Sequence, residues 1–319
     1  MSYGDKLMRF YDLMRMVEFQ GEKTFSKPPD ILIGGITLED RVRDILSKFH
    51  NVNNKYYFLP EEEYCEQSAI DELTKNYNIS ISKIAFNNLA KSINASGLWK
   101  QDIKKMSVAL DFTGLSMPLL FIIMKKLKEQ FDSKALYLIY SEPYDYIDGG
   151  QTIFTENILS VSNIPGFFSS EEIEGGKNRL LIILLGFEGK LITETHRAVQ
   201  PDKIIAINGF PAFRPGLHNQ SLLNNIGILK EIDPDVGVQN TPANNPFETA
   251  KLLSRLYETY KNRYNIYIAP LGTKPQGLGA CLFALDKPDI NIVYPFPEKI
   301  ACCPSRGVGK QWYYEADLL

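Results

Sequence analysis

The residues of this sequence whose chemistry is most informative lie at positions 272–276, which read GTKPQ. A short apolar run at residues 266–269 precedes them, and small and apolar residues follow them. This pattern is typical of a buried strand, a tight turn and a helix. Lys274 would then lie in the first turn of the helix, where a cation opposes the helix dipole. Its presence indicates that an anion lies over the turn, and phosphate is the obvious candidate.

The start of this helix can also be explained without a ligand. Thr273 and Gln276 have the spacing of a capping box, in which the hydroxyl and the amide each satisfy a backbone N–H group. Pro275 fits the first turn because its missing N–H group is not needed there. Lys274 could then extend into water at almost no cost.

Further polar residues follow the predicted strands. The carboxyl ends of parallel strands share one edge of a sheet, and ligands bind at that edge. Hydroxyl and basic side chains there could hold phosphate, while Asn208 and Gln276 could contact a base or sugar. The candidate ligand-binding residues are Gly272, Thr273, Lys274, Gln276, Thr113, Ser116, Ser141, Asn208 and Arg306.

Acidic residues at the same predicted edge could supply general acid or base chemistry. Asp111 and Glu188 follow predicted strands and are the candidate catalytic residues, and Glu142 has a similar position. The alternative is structural, because acidic residues after strands are often helix caps. The three acidic residues could instead hold a metal ion. The three histidines of the chain lie in unrelated segments, which excludes a histidine-rich metal site, and no metal-binding residues are assigned.

A second basic segment, SRGVGK at residues 305–310, contains Arg306. We interpret it as a glycine-bearing loop that could close over an anion, and the alternative is a flexible turn. The chain contains neither a GxxxxGK[ST] loop nor a GxGxxG motif. The sequence therefore offers no standard nucleotide-binding signature.

Strands and helices alternate along the sequence. Such alternation implies parallel sheets with helices on both faces, which is an α/β, Rossmann-like fold. The predicted strands are residues 31–35, 55–59, 107–112, 136–140, 180–185, 203–207, 266–269 and 290–294.

The two parts of the chain repeat the same turn features in the same order and at similar spacing. The repeated features are a glycine after a strand, a hydroxyl-x-Pro sequence at a helix start, and a Tyr-x-x-Pro sequence after a strand. They occur at Gly35 and Gly186, at residues 116–118 and 273–275, and at residues 140–143 and 294–297.

This repetition predicts two pseudo-symmetric Rossmann-like halves. The first spans residues 1–155 and begins with an amphipathic helix at residues 2–22. The second spans residues 156–319 and contains the GTKPQ turn. The alternative is one continuous doubly wound sheet.

Composition excludes several classes of protein. The chain has 319 residues, a net charge of −3 and a pI of about 5.8, which argues against dedicated binding of double-stranded nucleic acid. No apolar run is long enough to cross a membrane, and the N-terminus lacks the features of a signal peptide. We therefore expect a soluble, cytoplasmic protein without a membrane partner. Four cysteines without a CxxC motif are expected to be reduced thiols.

The GTKPQ turn, together with the Asp111-Phe112-Thr113 turn in the other half, resembles the ligand-binding loops of the CRISPR-associated Rossmann-fold (CARF) sensor domains. A duplicated pair within one chain is similar to the related SAVED domains. These families bind cyclic oligonucleotides in a cleft between two Rossmann-like units in prokaryotic antiviral systems, and some cleave the ligand. The resemblance covers a few turns and the element order. Met117 replaces the basic residue at the position equivalent to Lys274, so a symmetric ligand would be held unequally.

Three functions are compatible with these features. The leading hypothesis is a sensor or accessory subunit of a prokaryotic defence system that binds a nucleotide-type ligand, possibly a cyclic oligonucleotide, in a cleft between the halves. Such a sensor would signal to a protein partner or act as a homo-oligomer, and no cofactor is expected. The second is a hydrolase or transferase that acts on a nucleotide or phosphorylated metabolite. The third is a structural assembly subunit.

Overall fold

The computed structural model describes residues 14–25, 27–100, 102–130, 136–169, 177–232 and 235–316. The chain forms two compact units. The first unit contains Met14–Glu156 and the C-terminal segment that begins at Glu298, and the second unit contains Asn157–Pro297. Among the residues described, no helix combines the length and apolar character that a membrane crossing requires.

The secondary structure alternates as the sequence predicts. Up to residue 163 the elements are β1 (Arg15–Glu18), β2 (Ile31–Gly35), α1 (Asp40–Lys48), β3 (Asn54–Pro60), β4 (Glu63–Tyr64), α2 (Gln67–Tyr77), β5 (Ser80–Ile84), α3 (Leu89–Ala95), β6 (Val108–Asp111), α4 (Met117–Gln130), β7 (Leu136–Tyr146) and β8 (Thr155–Asn163).

The remaining elements are β9 (Asn178–Leu184), α5 (Gly189–Val199), β10 (Lys203–Gly209), α6 (Leu217–Asn224), α7 (Ile226–Leu229), β11 (Gln239–Thr241), α8 (Pro246–Tyr260), β12 (Tyr264–Pro270), α9 (Lys274–Leu285), β13 (Asn291–Ala301) and β14 (Ser305–Ala316).

The two units contain parallel sheets with the same strand order. In the first unit the order of the parallel strands is β7-β6-β2-β3-β5, and in the second it is β13-β12-β9-β10-β11. Numbered within each unit, both read 5-4-1-2-3, which is the Rossmann strand order. This topology confirms the predicted α/β fold with two similar halves. The sheet of the first unit continues with β14, antiparallel to β7, and β1, antiparallel to β14.

Each unit has its own apolar core. Strand β2 is buried along its whole length, and one side of the sheet packs against Val42, Ile45 and Leu46 of α1. In the second unit, the side chains of β9 pack with Ile192 of α5 and with β10 and β12. The strands are apolar on both faces because helices cover both sides of a parallel sheet.

Several sequence predictions were wrong in detail. Residues 15–18 of the expected amphipathic helix form β1, because their backbone groups pair with β14; residues 2–13 lie outside the described residues. Strands β5 and β8 were missed. The expected loop at residues 305–310 is part of β14. The predicted halves were residues 1–155 and 156–319. In the structure, however, the segment from Glu298 onward belongs to the first unit.

The cysteines also differ from expectation. The sulfur atoms of Cys65 and Cys302 form a disulfide, whereas Cys281 and Cys303 are free thiols. The pairing follows from the sheet, because β4 runs parallel to the end of β13 and places the next residue of each strand side by side. Sequence spacing could not show this contact, since 237 positions separate the two cysteines.

Close packing of main chains at the carboxyl edge gives a direct test of the fold. A Cβ atom added to Gly186 would lie closer than 3.0 Å to the carbonyl oxygen of Leu271, in the loop after β12. Gly186→Ala should therefore lower the free energy of unfolding by about 1–3 kcal/mol, as overpacking does. Gly227→Ala is the matched control, because a Cβ atom there meets nothing within 4 Å. Equal urea midpoints for both variants would contradict the proposed packing.

Candidate functional site

The candidate site of the second unit lies at the carboxyl edge of its parallel sheet. Strands β9 and β12 are adjacent at the point where the strand order reverses, which is where ligands bind in such sheets. The loop after β9 contains Gly186, and the loop after β12 contains Leu271 and Gly272. The sequence predicts correctly that the GTKPQ turn follows a strand of a parallel sheet.

The start of α9 has the predicted capping box. The Thr273 hydroxyl oxygen accepts a hydrogen bond from the Gln276 backbone N–H at 3.3 Å, and the Gln276 Oε1 atom accepts one from the Thr273 N–H at 3.2 Å. The Gly277 N–H donates to the Thr273 carbonyl oxygen at 2.9 Å. Because Pro275 has no N–H group, most backbone donors of this first turn are absent or already bound.

Lys274 is the first residue of α9 and is half-buried. Since the neighbouring backbone donors are occupied, its ammonium group is the main positive feature of the turn. An anion over this turn would be held by the lysine charge and by the positive end of the helix dipole.

Gln276 does not have the role that the sequence suggested. Its side chain is fully buried, and its Nε2 group donates a hydrogen bond to the Thr241 hydroxyl at 3.0 Å. The Thr241 hydroxyl lies 3.0 Å from that of Thr249. Gln276 therefore connects α9 to β11 and α8, and its polar groups are used inside the protein.

The side chain of Asn208 is also buried and hydrogen-bonded within the protein. It is 1% exposed, its Oδ1 atom accepts the Gly209 N–H at 3.0 Å, and its Nδ2 group donates to the His218 carbonyl oxygen at 3.1 Å. Phe210, two residues after Asn208, precedes a cis peptide bond to Pro211 and is 47% exposed. Its ring centroid lies 4.8 Å from that of His218, which places an accessible aromatic pair at this edge.

Glu188, one of the two candidate catalytic residues, is the N-cap residue of α5 and is half-buried. Its side chain does not cap the helix. Burial raises the pKa of Tyr294 in β13, and the negative charge of Glu188 raises it further. The carboxylate of Glu188 thus lies near enough to Tyr294 for their charges to interact.

The other candidate catalytic residue, Asp111, belongs to the first unit. It is fully buried at the end of β6, and its Oδ1 atom accepts the Thr113 N–H at 3.0 Å. Burial raises the pKa of Tyr57, and the negative charge of Asp111 adds to this effect. Asp111 is therefore part of the interior under the turn.

Thr113 and Ser141 continue this buried group. The Thr113 hydroxyl oxygen accepts the Ser141 N–H at 3.0 Å, and the Ser141 hydroxyl oxygen accepts a hydrogen bond from Gln311 at 3.1 Å. Both residues have no exposed surface. Their hydrogen bonds connect β6, β7 and β14.

Ser116 and Arg306 complete the predicted set. Ser116 is half-buried just before α4, and its hydroxyl has no hydrogen-bond partner within the described part of the chain. Arg306 is exposed in β14, and its guanidinium lies 3.5 Å from the carboxylate of Asp145. Of the predicted residues, Gly272, Thr273, Lys274, Gln276, Asn208 and Glu188 belong to the second unit, and the others belong to the first.

The sequence analysis missed a buried ion pair in the first unit. Arg41 and Glu39 are 4% and 2% exposed, and their charged groups lie 3.0 Å apart. The Arg41 guanidinium also donates to the Ser141 carbonyl oxygen at 3.0 Å, and the Ser305 hydroxyl donates to Glu39. The charged residues at positions 39–41 look like an exposed helix start in the sequence, so no local signal indicates their burial.

Comparison with known proteins does not identify the chain. No family model and no curated protein matches it. Among solved structures it is similar to the cytoplasmic domain of a prokaryotic cation chloride cotransporter, with 8% identity, 85% of this chain and 96% of that chain covered, and a TM-score of 0.23. A similarity of this strength supports no conclusion about fold or function.

The capping box and the buried amide of Gln276 give the first prediction for this site. Gln276→Ala removes the bond to the Thr273 N–H and leaves the buried Thr241 hydroxyl with fewer partners, so we expect a loss of about 1–3 kcal/mol in unfolding free energy. Gln220→Ala is the control, because the Gln220 side chain donates to Asn224 one turn along α6, and losing this bond should cost a few tenths of a kcal/mol. Urea denaturation measures both. A Gln276→Ala variant as stable as the control would contradict this account.

Glu142 gives a second prediction, on pH dependence. Burial raises the pKa of its carboxyl group, although the bond from the Trp312 Nε1 group at 2.5 Å and the charge of Lys310 oppose the change. The folded state therefore binds this proton more tightly than the unfolded state, and stability falls as pH rises from the unfolded pKa through the folded pKa.

Glu142→Gln keeps an acceptor for Trp312 but removes the buried charge. We expect it to raise the urea midpoint at pH 7, and to lose this advantage at acidic pH, where Glu142 is already protonated. Glu129→Gln, at an exposed position in α4, is the control. A Glu142→Gln variant that is less stable than wild type at pH 7 would contradict the prediction, because it would show that the buried carboxylate stabilises the folded state.

Proposed function

We propose that the second unit binds a nucleotide-type phosphorylated ligand at the carboxyl edge of its sheet, as the ligand-binding part of a sensor or accessory subunit. The observation that carries the proposal is the position of Lys274. It is the first residue of α9, beside the point where the strand order reverses, in a turn whose other backbone donors are occupied.

The electrostatics of the turn favour an anion. A cation at a helix N-terminus opposes the helix dipole, and a phosphate bound over the turn would offset this cost. The capping box fixes the turn without a ligand, so that little ordering is needed on binding. The resemblance of GTKPQ to the CARF sensor loops supports a nucleotide, possibly a cyclic oligonucleotide, and a role in prokaryotic defence.

The base of such a ligand needs a different partner from those that the sequence suggested, because the amides of Asn208 and Gln276 are bound internally. Phe210 offers an accessible ring at the same edge and can stack on a base. This arrangement favours recognition of a base by stacking, with Lys274 holding phosphate.

A hydrolase or transferase is the second candidate function. Glu188 favours it, because a half-buried carboxylate lies near Tyr294 at the same edge and could act as a general base or acid. Asp111 contributes less to this alternative, since it is fully buried and bonded to the Thr113 N–H. A structural assembly subunit would require neither binding nor turnover.

Thermal unfolding in the presence of linear nucleotides, cyclic nucleotides and cyclic oligonucleotides tests the proposal. A ligand at 100 times its dissociation constant should stabilise the protein by about 2.7 kcal/mol. Lys274→Ala should weaken binding by about tenfold or more, because it removes a charge-assisted contact. Lys177→Ala is the matched control: Lys177 is exposed just before β9, at the opposite edge of the sheet, and should bind like wild type.

Two outcomes would contradict the proposal. One is the absence of a shift with every nucleotide. The other is a shift that Lys274→Ala and Lys177→Ala reduce equally, because this would indicate general charge effects. If a ligand binds, product formation that is lost in Glu188→Gln would favour the enzyme over the sensor.

A further inference from the structure

Three potential metal ligands of the first unit converge beside β4. Strand β4 pairs in parallel with the end of β13, so that Glu63 lies opposite Ile300. Cys65 and Cys302 follow these paired segments, and their Cα atoms are 5.3 Å apart. Glu63, Cys65 and Cys302 each offer one ligand atom, and these three atoms all lie within 4.8 Å of one another.

The surroundings of these atoms are largely closed to water. Glu63 and Cys302 are each 9% exposed, and Cys65 is half-buried. The Oε1 atom of Glu63 lies 3.9 Å from the Cys65 sulfur. A carboxylate next to two sulfurs is a costly arrangement if the sulfurs become thiolates, unless a cation neutralises the three negative charges.

We propose that, when the disulfide is reduced, Cys65, Cys302 and Glu63 bind a thiophilic divalent cation of the zinc class. Two thiolates and one carboxylate are ligands that Zn²⁺ accepts, and soft sulfur ligands disfavour Mg²⁺ and Ca²⁺. Three protein ligands leave a fourth tetrahedral position for water or an exogenous group. The proposal is independent of nucleotide binding, since it concerns residues of the first unit alone.

The disulfide and the cation are alternative uses of the same two sulfurs. Two equivalents of a small thiol reduce the disulfide: the S–S bond breaks, the reductant forms its own disulfide, and Cys65 and Cys302 each gain one proton and one electron. Binding of the cation then releases both protons. In either state the chain is linked between positions 65 and 302, so that β4 stays fixed to the end of β13.

Cys303 provides a matched control. It is adjacent to Cys302 in sequence, yet its sulfur is not among the three convergent ligand atoms. Its charged neighbours include Glu39, Arg43, Glu63 and Asp40. Cys303→Ser therefore removes a thiol of the same segment without removing a proposed ligand.

Cobalt(II) binding to the full chain tests this site, because thiolate ligands give Co²⁺ an intense charge-transfer absorption. Protein reduced with a phosphine and desalted without oxygen should bind about one Co²⁺ per chain, displaceable by Zn²⁺. The disulfide form should show no such band. Cys65→Ser and Cys302→Ser should abolish the band, Glu63→Gln should weaken binding by about tenfold or more, and Cys303→Ser should match wild type.

Circular dichroism of each variant confirms that it is folded, and Glu63→Gln keeps the test informative if a cysteine variant unfolds. The proposal is overturned if the reduced wild-type protein shows no thiolate-to-cobalt band. It is also overturned if the band survives in folded Cys65→Ser, or if Cys303→Ser removes it while Glu63→Gln leaves the affinity unchanged.

Discussion

The close approach of main chains after the first and fourth strands of each sheet is the constraint on which the rest of the structure depends. In the first unit, Gly35 after β2 contacts the backbone of Gly114 after β6, and a Cβ atom on either glycine would overlap the other residue. In the second unit, Gly186 and the backbone of Leu271 have the equivalent relation. The first strand of each unit, β2 or β9, hydrogen-bonds to a neighbouring strand on both sides. The loop that follows it must therefore pass next to the loop after the fourth strand. These contacts fix where the helices at the carboxyl edge begin.

Many polar side chains at this closely packed carboxyl edge form hydrogen bonds within the protein. Thr113 and Ser141 bond to backbone and side-chain groups within the first unit, and Gln276 bonds to Thr273 and Thr241 within the second. Buried polar groups must be satisfied when no ligand is bound, since an unsatisfied one costs about 1–3 kcal/mol. Several residues that look suitable for a ligand in the sequence therefore have their polar groups bonded within the protein.

The two units differ in the residue that begins the helix after the fourth strand. Helix α4 begins with Met117 and helix α9 begins with Lys274, at the same position relative to the following proline. In each helix the backbone N–H group of the fourth residue donates to the carbonyl oxygen of the residue before the helix, from Leu120 to Ser116 and from Gly277 to Thr273. The first residue carries a positive charge in the second unit and none in the first. The carboxyl edges of the two units are therefore not equivalent in charge at this position.

Local features of the fold could be predicted from the sequence, and non-local ones could not. The capping box of Thr273 and Gln276 was predicted correctly because all its atoms come from four consecutive residues. The parallel sheets were predicted from the alternation of strands and helices, and the two halves from the repeated turn features. The order of the strands within each sheet was not predicted, because it depends on which distant strands pair. Strand β1, the inclusion of Arg306 in β14, and the disulfide of Cys65 all depend on pairing with segments far away in the sequence. The burial of Arg41 was missed for the same reason, since the Glu39 carboxylate and the Ser141 carbonyl oxygen accept its hydrogen bonds only in the folded chain.

The C-terminal segment shows how far such long-range pairing determines the first unit. Strand β14 pairs along its length with β7, and Gln311 hydrogen-bonds to Asp44 of α1 at 2.7 Å and to Ser141 of β7. Ser305 donates to Glu39, which is itself paired with Arg41. Buried ion pairs add little net stability but are costly to break, so they select one arrangement over its alternatives. The ion pair at the start of α1 therefore holds this helix in one position against β14, which makes residues 298–316 an integral part of the first unit.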